Sequence, residues 1–281
     1  MSVIENHFKL IILKIKYLQV GFLSFCLSFM QTKLSAQTKT ERVTYSSRFV
    51  NFNHPNGSYT DQLLHEDFGN GTYPNNRGFA SIQDSVYKIT FIKGQKVSNT
   101  GAAVQLAIEP GQQYMLQYRI KYDSSFQAGL HGKQFGFVTG IGYDGGRGAQ
   151  ARANGDGGSV RLQFDAHDST ISNQLYVYYS EMTGDYGNNP GNQHYSFAKG
   201  KWNTIKMIVT MQTAANIKDG RIEVWCNGEK KIDVGNIPFV KTESGRKITK
   251  LSFESFPGGG GIFPTYDNYL YIDDLQFSKL K

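Results

Sequence analysis

Two segments in the middle of the chain alternate polar and apolar side chains with a period of two. Successive side chains of a β-strand point to opposite faces. The first segment therefore places Ser159, Arg161 and Gln163 on one face of a strand, and the second places Tyr176 and Tyr178 on one face. The apolar side chains between them take the opposite faces. This pattern constrains both segments to form strands with one polar and one apolar side.

The ten residues between the two segments, Asp165–Gln174, predict a hairpin whose loop is longer than the tightest turns. They are rich in Asp, Ser, Thr and Asn. Folding this hairpin gathers a serine, an arginine and two tyrosines on one exposed face above an apolar core. A cation beside tyrosine hydroxyls on the outside of a sheet suits an anionic substrate.

Strand patterns dominate the rest of the chain, and helical periodicity is limited to a turn or two at Asp61–Phe68. Many short strands joined by turn-rich connections predict an all-β antiparallel sandwich. Two long loops, 140–158 and 183–200, are predicted to be functional, because loops of this length in a compact domain often are. The further predicted strands are Val86–Ile92, Tyr114–Asp123, Phe135–Ile141, Trp202–Met211, Arg221–Cys226, Ile248–Phe256 and Leu270–Phe277.

The first 36 residues have the pattern of an export signal. Lys9, Lys14 and Lys16 form a basic region, Tyr17–Met30 is apolar, and small residues precede Gln37. The apolar run is short for a transmembrane helix. We therefore expect a secreted or periplasmic protein without stable membrane insertion, although an uncleaved anchor stays open. The expected organisation is a signal peptide at 1–36, an N-terminal extension at 37–59 and one monomeric domain at 60–281.

The net charge is +7, and about +4 remains once the four Lys and one Glu of residues 1–36 are removed. A modest positive balance favours acidic partners without choosing between nucleic acid and an acidic polysaccharide. Lys-rich clusters and nucleic-acid-binding motifs are absent from the sequence, so we expect no nucleic-acid partner. The 17 Tyr residues suit either stacking on sugar rings or packing between strands.

The sequence predicts neither a metal site nor a cofactor. Its histidines lack the close spacing of metal ligands, and its Asp-Gly-Gly segments are typical of turns. A retaining glycoside hydrolase needs two carboxylates about 5–5.5 Å apart. No predicted strand carries an alternating pair of acidic residues, which disfavours hydrolysis.

Cations and tyrosines on one face favour a different reaction, the β-elimination of a uronic acid polymer. The enzyme neutralises the carboxylate on C5, removes the adjacent proton and protonates the leaving oxygen at C4. Arginine and lysine neutralise the carboxylate, which acidifies the C5 proton. Tyrosine serves as base or acid when cations lower its pKa. Lys133, which begins the strand upstream of Arg161, supplies the second cation.

An ordered set of motifs over residues 60–281 resembles polysaccharide lyase family 14, which includes alginate and glucuronan lyases. Ser-x-Arg and Tyr-x-Tyr in this order are its more specific elements, whereas Trp-x-Asn-Gly occurs in many lectin-like jelly rolls. The matching segments are Gly132-Lys133, Gly158-Ser159-Val160-Arg161, Tyr176-Val177-Tyr178, Trp202, Trp225-Cys226-Asn227-Gly228 and Phe256-Pro257-Gly258-Gly259.

The resemblance implies an antiparallel β-jelly-roll sandwich of the concanavalin-like type and a secreted, metal-independent polyuronate lyase. It assigns catalysis and carboxylate recognition to Lys133, Ser159, Arg161, Tyr176 and Tyr178. Within this set we expect arginine to bind the carboxylate and serine to position substrate. Tyr178 is the favoured base for the C5 proton, and Tyr176 is its partner at the C4 oxygen.

Two further polar residues, Gln163 and Arg119, are predicted to bind substrate from the polar faces of their strands. The chain departs from the family pattern at Lys133-Gln134-Phe135-Gly136-Phe137, where the family has Lys-Leu-Pro-Gly-Leu, and at Gly158, where an aromatic often stands. These departures concern the substrate more than the reaction. The choice between alginate and glucuronan stays open, as do endo or exo action.

A non-catalytic carbohydrate-binding jelly roll is the alternative function, because a fold does not determine an activity. Such a module shares the strands and the aromatic content. It has no need for two tyrosine hydroxyls beside an arginine, so the tyrosines distinguish the two hypotheses.

Overall fold

A computed structural model describes residues 45–69, 79–95, 100–258 and 263–281. Within them lie fifteen strands: β1 (Ser47–Val50), β2 (Gly57–Ser58), β3 (Ala80–Gln83), β4 (Val86–Phe91), β5 (Ala102–Gly111), β6 (Gln113–Tyr122), β7 (His131–Gly140), β8 (Gly157–Ala166), β9 (Thr170–Tyr178), β10 (His194–Ala198), β11 (Asn203–Thr210), β12 (Gly220–Cys226), β13 (Glu229–Ile237), β14 (Ile248–Pro257) and β15 (Asn268–Lys279).

The strands form two antiparallel sheets. The nine-stranded sheet has the order β13-β12-β11-β6-β15-β4-β3-β2, with β1 paired to β15. The six-stranded sheet has the order β10-β9-β8-β7-β14-β5. Neighbours in this sheet are not all consecutive in the chain, because β14 returns to lie between β7 and β5. The predicted all-β antiparallel jelly roll is confirmed.

Two short helices accompany the sheets: α1 (Asp61–Phe68) and α2 (Gly148–Asn154). Thr60 caps α1 by accepting a hydrogen bond from the Leu63 amide, as a hydroxyl at an N-cap commonly does. α2 lies inside the long 140–158 connection between β7 and β8. It ends at Gly155, which has the positive φ of 61° that favours glycine at this position.

The core lies between the two sheets and is rich in aromatic rings. Alternation along β6 turns Tyr118 and Tyr122 towards the six-stranded sheet, where they pack on Phe135 and Phe164 with ring centroids 5.0 and 5.3 Å apart. Each large ring removes much apolar surface from water, which is the main stabilising term of such a sandwich. The polar side chains of β6 therefore lie on the outer face of the nine-stranded sheet.

A β-bulge in β7 turns two consecutive side chains into this core. Gln134 and Phe135 stand opposite the single residue Leu162, between the pairs Lys133–Gln163 and Gly136–Arg161. The Gln134 amide is buried and donates to the Tyr122 hydroxyl and to the Asn173 side chain, both at 2.8 Å. It also accepts from Tyr118 at 3.2 Å. A buried amide with these partners avoids the cost of an unmade hydrogen bond.

The hairpin between β8 and β9 is tighter than the sequence predicts. The two strands continue to Ala166 and from Thr170, so only three residues connect them, and the His167 amide donates to the Thr170 carbonyl. Most of the polar segment Asp165–Gln174 therefore belongs to the two strands, and only residues 167–169 form the turn.

The segment predicted as an N-terminal extension contributes to the sandwich: β1 pairs with β15, and Phe52 is fully buried. The predicted signal peptide, residues 1–36, lies outside the described residues. Within the described part of the chain, no helix is long and apolar enough to cross a membrane.

Candidate active site

The two predicted polar stripes meet on the outer face of the six-stranded sheet. Arg161 on β8 lies directly opposite Tyr176 on β9, and Ser159 lies opposite Tyr178. The Arg161 guanidinium carbon is 5.8 Å from the centre of the Tyr176 ring. The two tyrosine rings contact edge to face, with centroids 5.8 Å apart. The alternation predicted from the sequence therefore brings these four side chains to one side.

Lys133 joins this group from the neighbouring strand β7. Its Nζ lies 3.1 Å from the centre of the Tyr176 ring and donates a hydrogen bond to Gln163 Oε1 at 2.9 Å. Gln163, predicted to bind substrate, thus lies beside the lysine. The bulge after Lys133 keeps this side chain on the groove face while the next two residues enter the core.

Close approach of β7 and β8 requires glycine at position 136. A Cβ atom added there would lie 1.9 Å from the carbonyl oxygen of Val160, which is backbone and cannot yield. Gly136 is the cross-strand partner of Arg161. The missing side chain therefore lets the two strands approach closely at the position of Arg161.

The site is buried rather than laid on an exposed face, which corrects the prediction made from the sequence. Arg161 is 3% exposed and Lys133 is 8% exposed. The connection 140–158 covers the sheet: Ser159 Oγ donates to the Tyr143 carbonyl at 2.8 Å, and the Gly146 amide donates to the Tyr178 hydroxyl at 3.0 Å. A period-two pattern shows which face a residue takes, but it does not show that a loop folds over that face.

Burial and neighbouring charge change the acidity of two groups. Desolvation, followed by the positive charge of Arg161, lowers the pKa of Lys133 to about 7. Burial raises the pKa of Tyr178 above its usual range. The lysine therefore loses its proton near neutral pH, whereas the Tyr178 hydroxyl keeps its proton.

Glu254 on β14 is a site residue that the sequence analysis missed. Its Oε2 accepts from Arg161 Nη1 at 3.0 Å and from Ser252 Oγ at 2.9 Å, and its Oε1 accepts from Gln105 Nε2 at 3.2 Å. The signal was present, because Lys250, Ser252 and Glu254 alternate with apolar residues along a predicted strand. A single acidic residue on the polar face of a strand does not by itself indicate a site, so this pattern did not distinguish Glu254.

Arg161 keeps one unused donor despite its pairing with Glu254. Its Nε is buried and has no hydrogen-bond partner among the described residues. A buried donor without a partner is costly. A guanidinium with an unpaired donor beside a groove is suited to bind a carboxylate, which accepts hydrogen bonds from it.

Arg119, predicted to bind substrate, lies elsewhere. It projects from the outer face of the nine-stranded sheet, where Nη1 contacts Asp273 at 3.3 Å and Asp274 at 3.2 Å. Its guanidinium carbon lies 4.9 Å from the Trp202 ring. The sequence showed a polar face on β6 but could not show that this strand belongs to the opposite sheet.

Among the described residues, no group of three or more His, Cys, Asp or Glu side chains could hold a metal ion. A cavity of about 270 Å³ adjoins Arg161 on the side away from Lys133, between the sheet and the 140–158 connection. The arrangement as a whole offers an anionic ligand one buried lysine, one buried guanidinium with an unpaired donor and two tyrosine hydroxyls.

A jelly-roll groove with this arrangement belongs to the class of polysaccharide lyases. The family model of Polysaccharide lyase 14 matches residues 80–271, which is more than half of the chain. The chain therefore belongs to polysaccharide lyase family 14, as the sequence motifs predicted. A search of curated proteins gave no match.

Solved structures agree with this membership. Alginate lyase Aly36B is 27% identical, with a TM-score of 0.76 over 85% of this chain and 99% of that one. A variant of Aly36B with a lysine and a tyrosine replaced by alanine, in complex with alginate tetrasaccharide, is 26% identical with a TM-score of 0.77 over the same shares. Alginate lyase vAL-1 from Chlorella virus is 18% identical with a TM-score of 0.60, covering 79% and 98%, and shares the fold.

Proposed function

We propose that the enzyme cleaves a uronic acid polymer by β-elimination, with alginate as the first candidate. The carrying observation is the buried pair of basic side chains, Lys133 and Arg161, beside one carboxylate, Glu254, and with the guanidinium Nε unpaired. The similarity to alginate lyase Aly36B supports this polymer class. A uronate carboxylate offers the unpaired Nε–H of Arg161 a charged acceptor, which a neutral sugar lacks.

Arg161 binds and neutralises the carboxylate on C5. Glu254 holds Nη1, so the remaining edge of the guanidinium is available to the substrate. Withdrawal of negative charge from the carboxylate stabilises the enolate-like transition state that forms as the C5 proton leaves. The buried site strengthens this interaction, because water is largely excluded.

Lys133 takes the C5 proton. A base works best when its pKa lies near the working pH, and burial brings the pKa of Lys133 to about 7. This assignment differs from the sequence-based preference for Tyr178, whose raised pKa makes it a poor base at neutral pH. The C5–H electron pair forms the C4=C5 double bond, and the bond from C4 to the leaving oxygen breaks.

Tyr176 protonates the leaving oxygen at C4, since its ring lies against both cations. Tyr178 orients it: the Tyr178 hydroxyl accepts from the Gly146 amide and is hydrogen-bonded to Tyr176. The proton removed from C5 resides on Lys133, and a proton from Tyr176 ends on the leaving group. Exchange with water then resets both groups.

The reaction as proposed needs no metal, because Arg161 supplies the charge that neutralises the carboxylate. The test is the ultraviolet absorbance of the unsaturated product, measured with the purified enzyme on alginate, glucuronan and a neutral glucan, each with and without a chelator. We expect product from a polyuronate only, unaffected by chelation. Binding of alginate without any unsaturated product would favour the carbohydrate-binding module instead.

We also propose that residues 1–36 direct export and are removed, leaving a secreted or periplasmic monomer. The proposal rests on the basic region, the apolar run and the small residues before Gln37. Mass spectrometry of the protein in the extracellular or periplasmic fraction should find an N-terminus near residue 37. An intact N-terminus in the membrane fraction would instead indicate a retained anchor.

A further inference from the structure

The cavity beside Arg161 has a second cation on its far wall. Its volume of about 270 Å³ is close to the lower end of about 300–1,000 Å³ for small-molecule sites, which suits a single sugar unit. Most of its lining is polar. The side chains that matter here are Gln105, Tyr143, Arg147, Ser159, Arg161 and Lys250.

Lys250 has no acidic partner among the described residues. Arg147, the other cation at the rim, is neutralised by Asp144 at 2.8 Å. Lys250 Nζ instead contacts the neutral Gln105 Oε1 at 3.5 Å. An amide carries no negative charge, so a ligand carboxylate need not displace a counter-charge to reach Lys250.

Lys250 is tied to the reaction centre by a continuous chain of hydrogen bonds. Gln105 accepts from Lys250 and donates to Glu254 Oε1 at 3.2 Å. Glu254 Oε2 accepts from Arg161 at 3.0 Å. The amide of Gln105 thus faces its oxygen to the lysine and its nitrogen to the carboxylate, which fixes the two cations at opposite ends of the cavity.

The sheet register separates the backbones of Lys250 and Arg161 by two strands. Lys250 on β14 lies opposite Val138 on β7, which lies opposite Ser159 on β8. Lys250 is therefore two strands away from β8 and level with a residue two positions before Arg161. Strand spacings of about 4.8 Å and rises of about 3.3 Å per residue put the two Cα atoms about 12 Å apart. The side chains of Gln105 and Glu254 lie between the two charged groups along this span, so Lys250 is placed to meet a different carboxylate of the same polymer.

We propose that the cavity is a binding subsite for the uronate unit next to the one held by Arg161, with Lys250 as its carboxylate partner and Gln105 orienting the lysine. The proposal rests on the proposed polyuronate lyase function. It makes Lys250 a residue that selects for consecutive acidic units. The contact forms in the ground state and in the transition state alike, so it strengthens binding without changing the chemical step.

The test compares Lys250→Gln with the wild-type enzyme on alginate oligosaccharides of increasing length, by absorbance of the unsaturated product. Loss of one charge-assisted hydrogen bond should raise KM about tenfold for oligosaccharides long enough to fill the cavity, with kcat within about twofold. The shortest cleaved oligosaccharide should be unaffected. Lys250→Arg should retain most of the wild-type affinity, and Lys250→Met should match Lys250→Gln.

Lys206→Gln is the matched control, because this half-buried strand lysine lies on the opposite sheet over Trp225, 4.1 Å from its ring centre. It should leave KM unchanged. An unchanged KM for Lys250→Gln at every length overturns the subsite. If the wild-type enzyme releases no unsaturated product, the proposed function fails instead. Calorimetric binding of alginate tetrasaccharide then decides the subsite separately: equal affinity for wild type and Lys250→Gln overturns it.

Discussion

The outer faces of the two sheets carry similar residues and differ in how their charges are balanced. On the six-stranded sheet, Arg161 has a side chain that is 4% exposed and pairs with the single carboxylate of Glu254. On the nine-stranded sheet, Arg119 has a side chain that is 38% exposed and contacts both Asp273 and Asp274. Arg161 keeps one donor without a partner among the described residues, whereas Arg119 lies between two carboxylates.

Aromatic rings accompany the cations on both faces. Lys133 lies over Tyr176 in the groove, while Lys206 lies over Trp225 on the opposite sheet. Contacts between cations and rings therefore do not distinguish a site from a stable strand surface. The distinguishing features are the loop that covers one face and the burial of Lys133 and Arg161 beneath it.

Replacing Lys133 by arginine gives the largest expected effect. Arginine keeps the charge but cannot release its proton at working pH, so a loss of base catalysis should lower kcat about 10²–10⁴-fold. For the wild-type enzyme, kcat/KM should fall about tenfold per pH unit below about 7, where the lysine becomes protonated, and level off above it. Both are measured as initial rates on alginate. Near wild-type turnover in the variant would mean that Lys133 supplies charge alone.

Glu254→Gln should destabilise the fold more than the loss of a surface ion pair. It leaves the buried Arg161 without a counter-charge, which costs about 3–5 kcal/mol of unfolding free energy. The matched change Glu109→Gln breaks an exposed pair with Lys279 and should cost about 0–1 kcal/mol. Urea denaturation measures both. If both variants lose the same unfolding free energy, the buried pair of Arg161 and Glu254 contributes no more to stability than the exposed pair.

The two tyrosines should separate in a comparison of single substitutions to phenylalanine, which removes the hydroxyl and keeps the ring. Tyr176→Phe should lower kcat about 10²-fold, since the leaving oxygen loses its proton donor. Tyr178→Phe should lower kcat about tenfold, since only the orientation of Tyr176 suffers. Steady-state kinetics on alginate decide the order. A larger loss in Tyr178→Phe would restore the sequence-based assignment of Tyr178 as base.

Arg119→Gln should have the smallest effect. Its guanidinium contacts Asp273 and Asp274 on the far sheet, so kcat/KM on alginate should stay within about twofold of wild type. Exposed ion pairs of this kind contribute about 0–1 kcal/mol to stability. A tenfold rise in KM on the long polymer would show that the outer face of the nine-stranded sheet also binds substrate.

The sequence predicted which face of its own strand each side chain takes, but it did not predict which sheet each strand joins. Alternation along single strands predicted that Arg161 and Tyr176 share a face, because that follows from the backbone alone. It also predicted the polar side of β6. It could not assign β6 to the other sheet, since strand order depends on pairing between distant segments. For this reason Arg119 was predicted to bind substrate, although its strand lies in the sheet opposite the site.

Burial and charge balance were equally out of reach of the sequence. The depth of Arg161 depends on the path of the 140–158 connection, whose glycines allow many conformations. The lowered pKa of Lys133 arises from that burial and from Arg161, 28 positions away in the chain. Glu254 reaches the site only because β14 returns to pair with β7.

The bulge in β7 links the chemistry of the groove to the interior of the protein. Gln134, one residue after the proposed base, is anchored among Tyr118, Tyr122 and Asn173 between the sheets. The backbone that carries Lys133 is therefore held in place by hydrogen bonds in the core, between polar groups that do not contact the substrate. Substitutions among the groove side chains can therefore change which polymer binds, while the hydrogen bonds of Gln134 keep Lys133 in position.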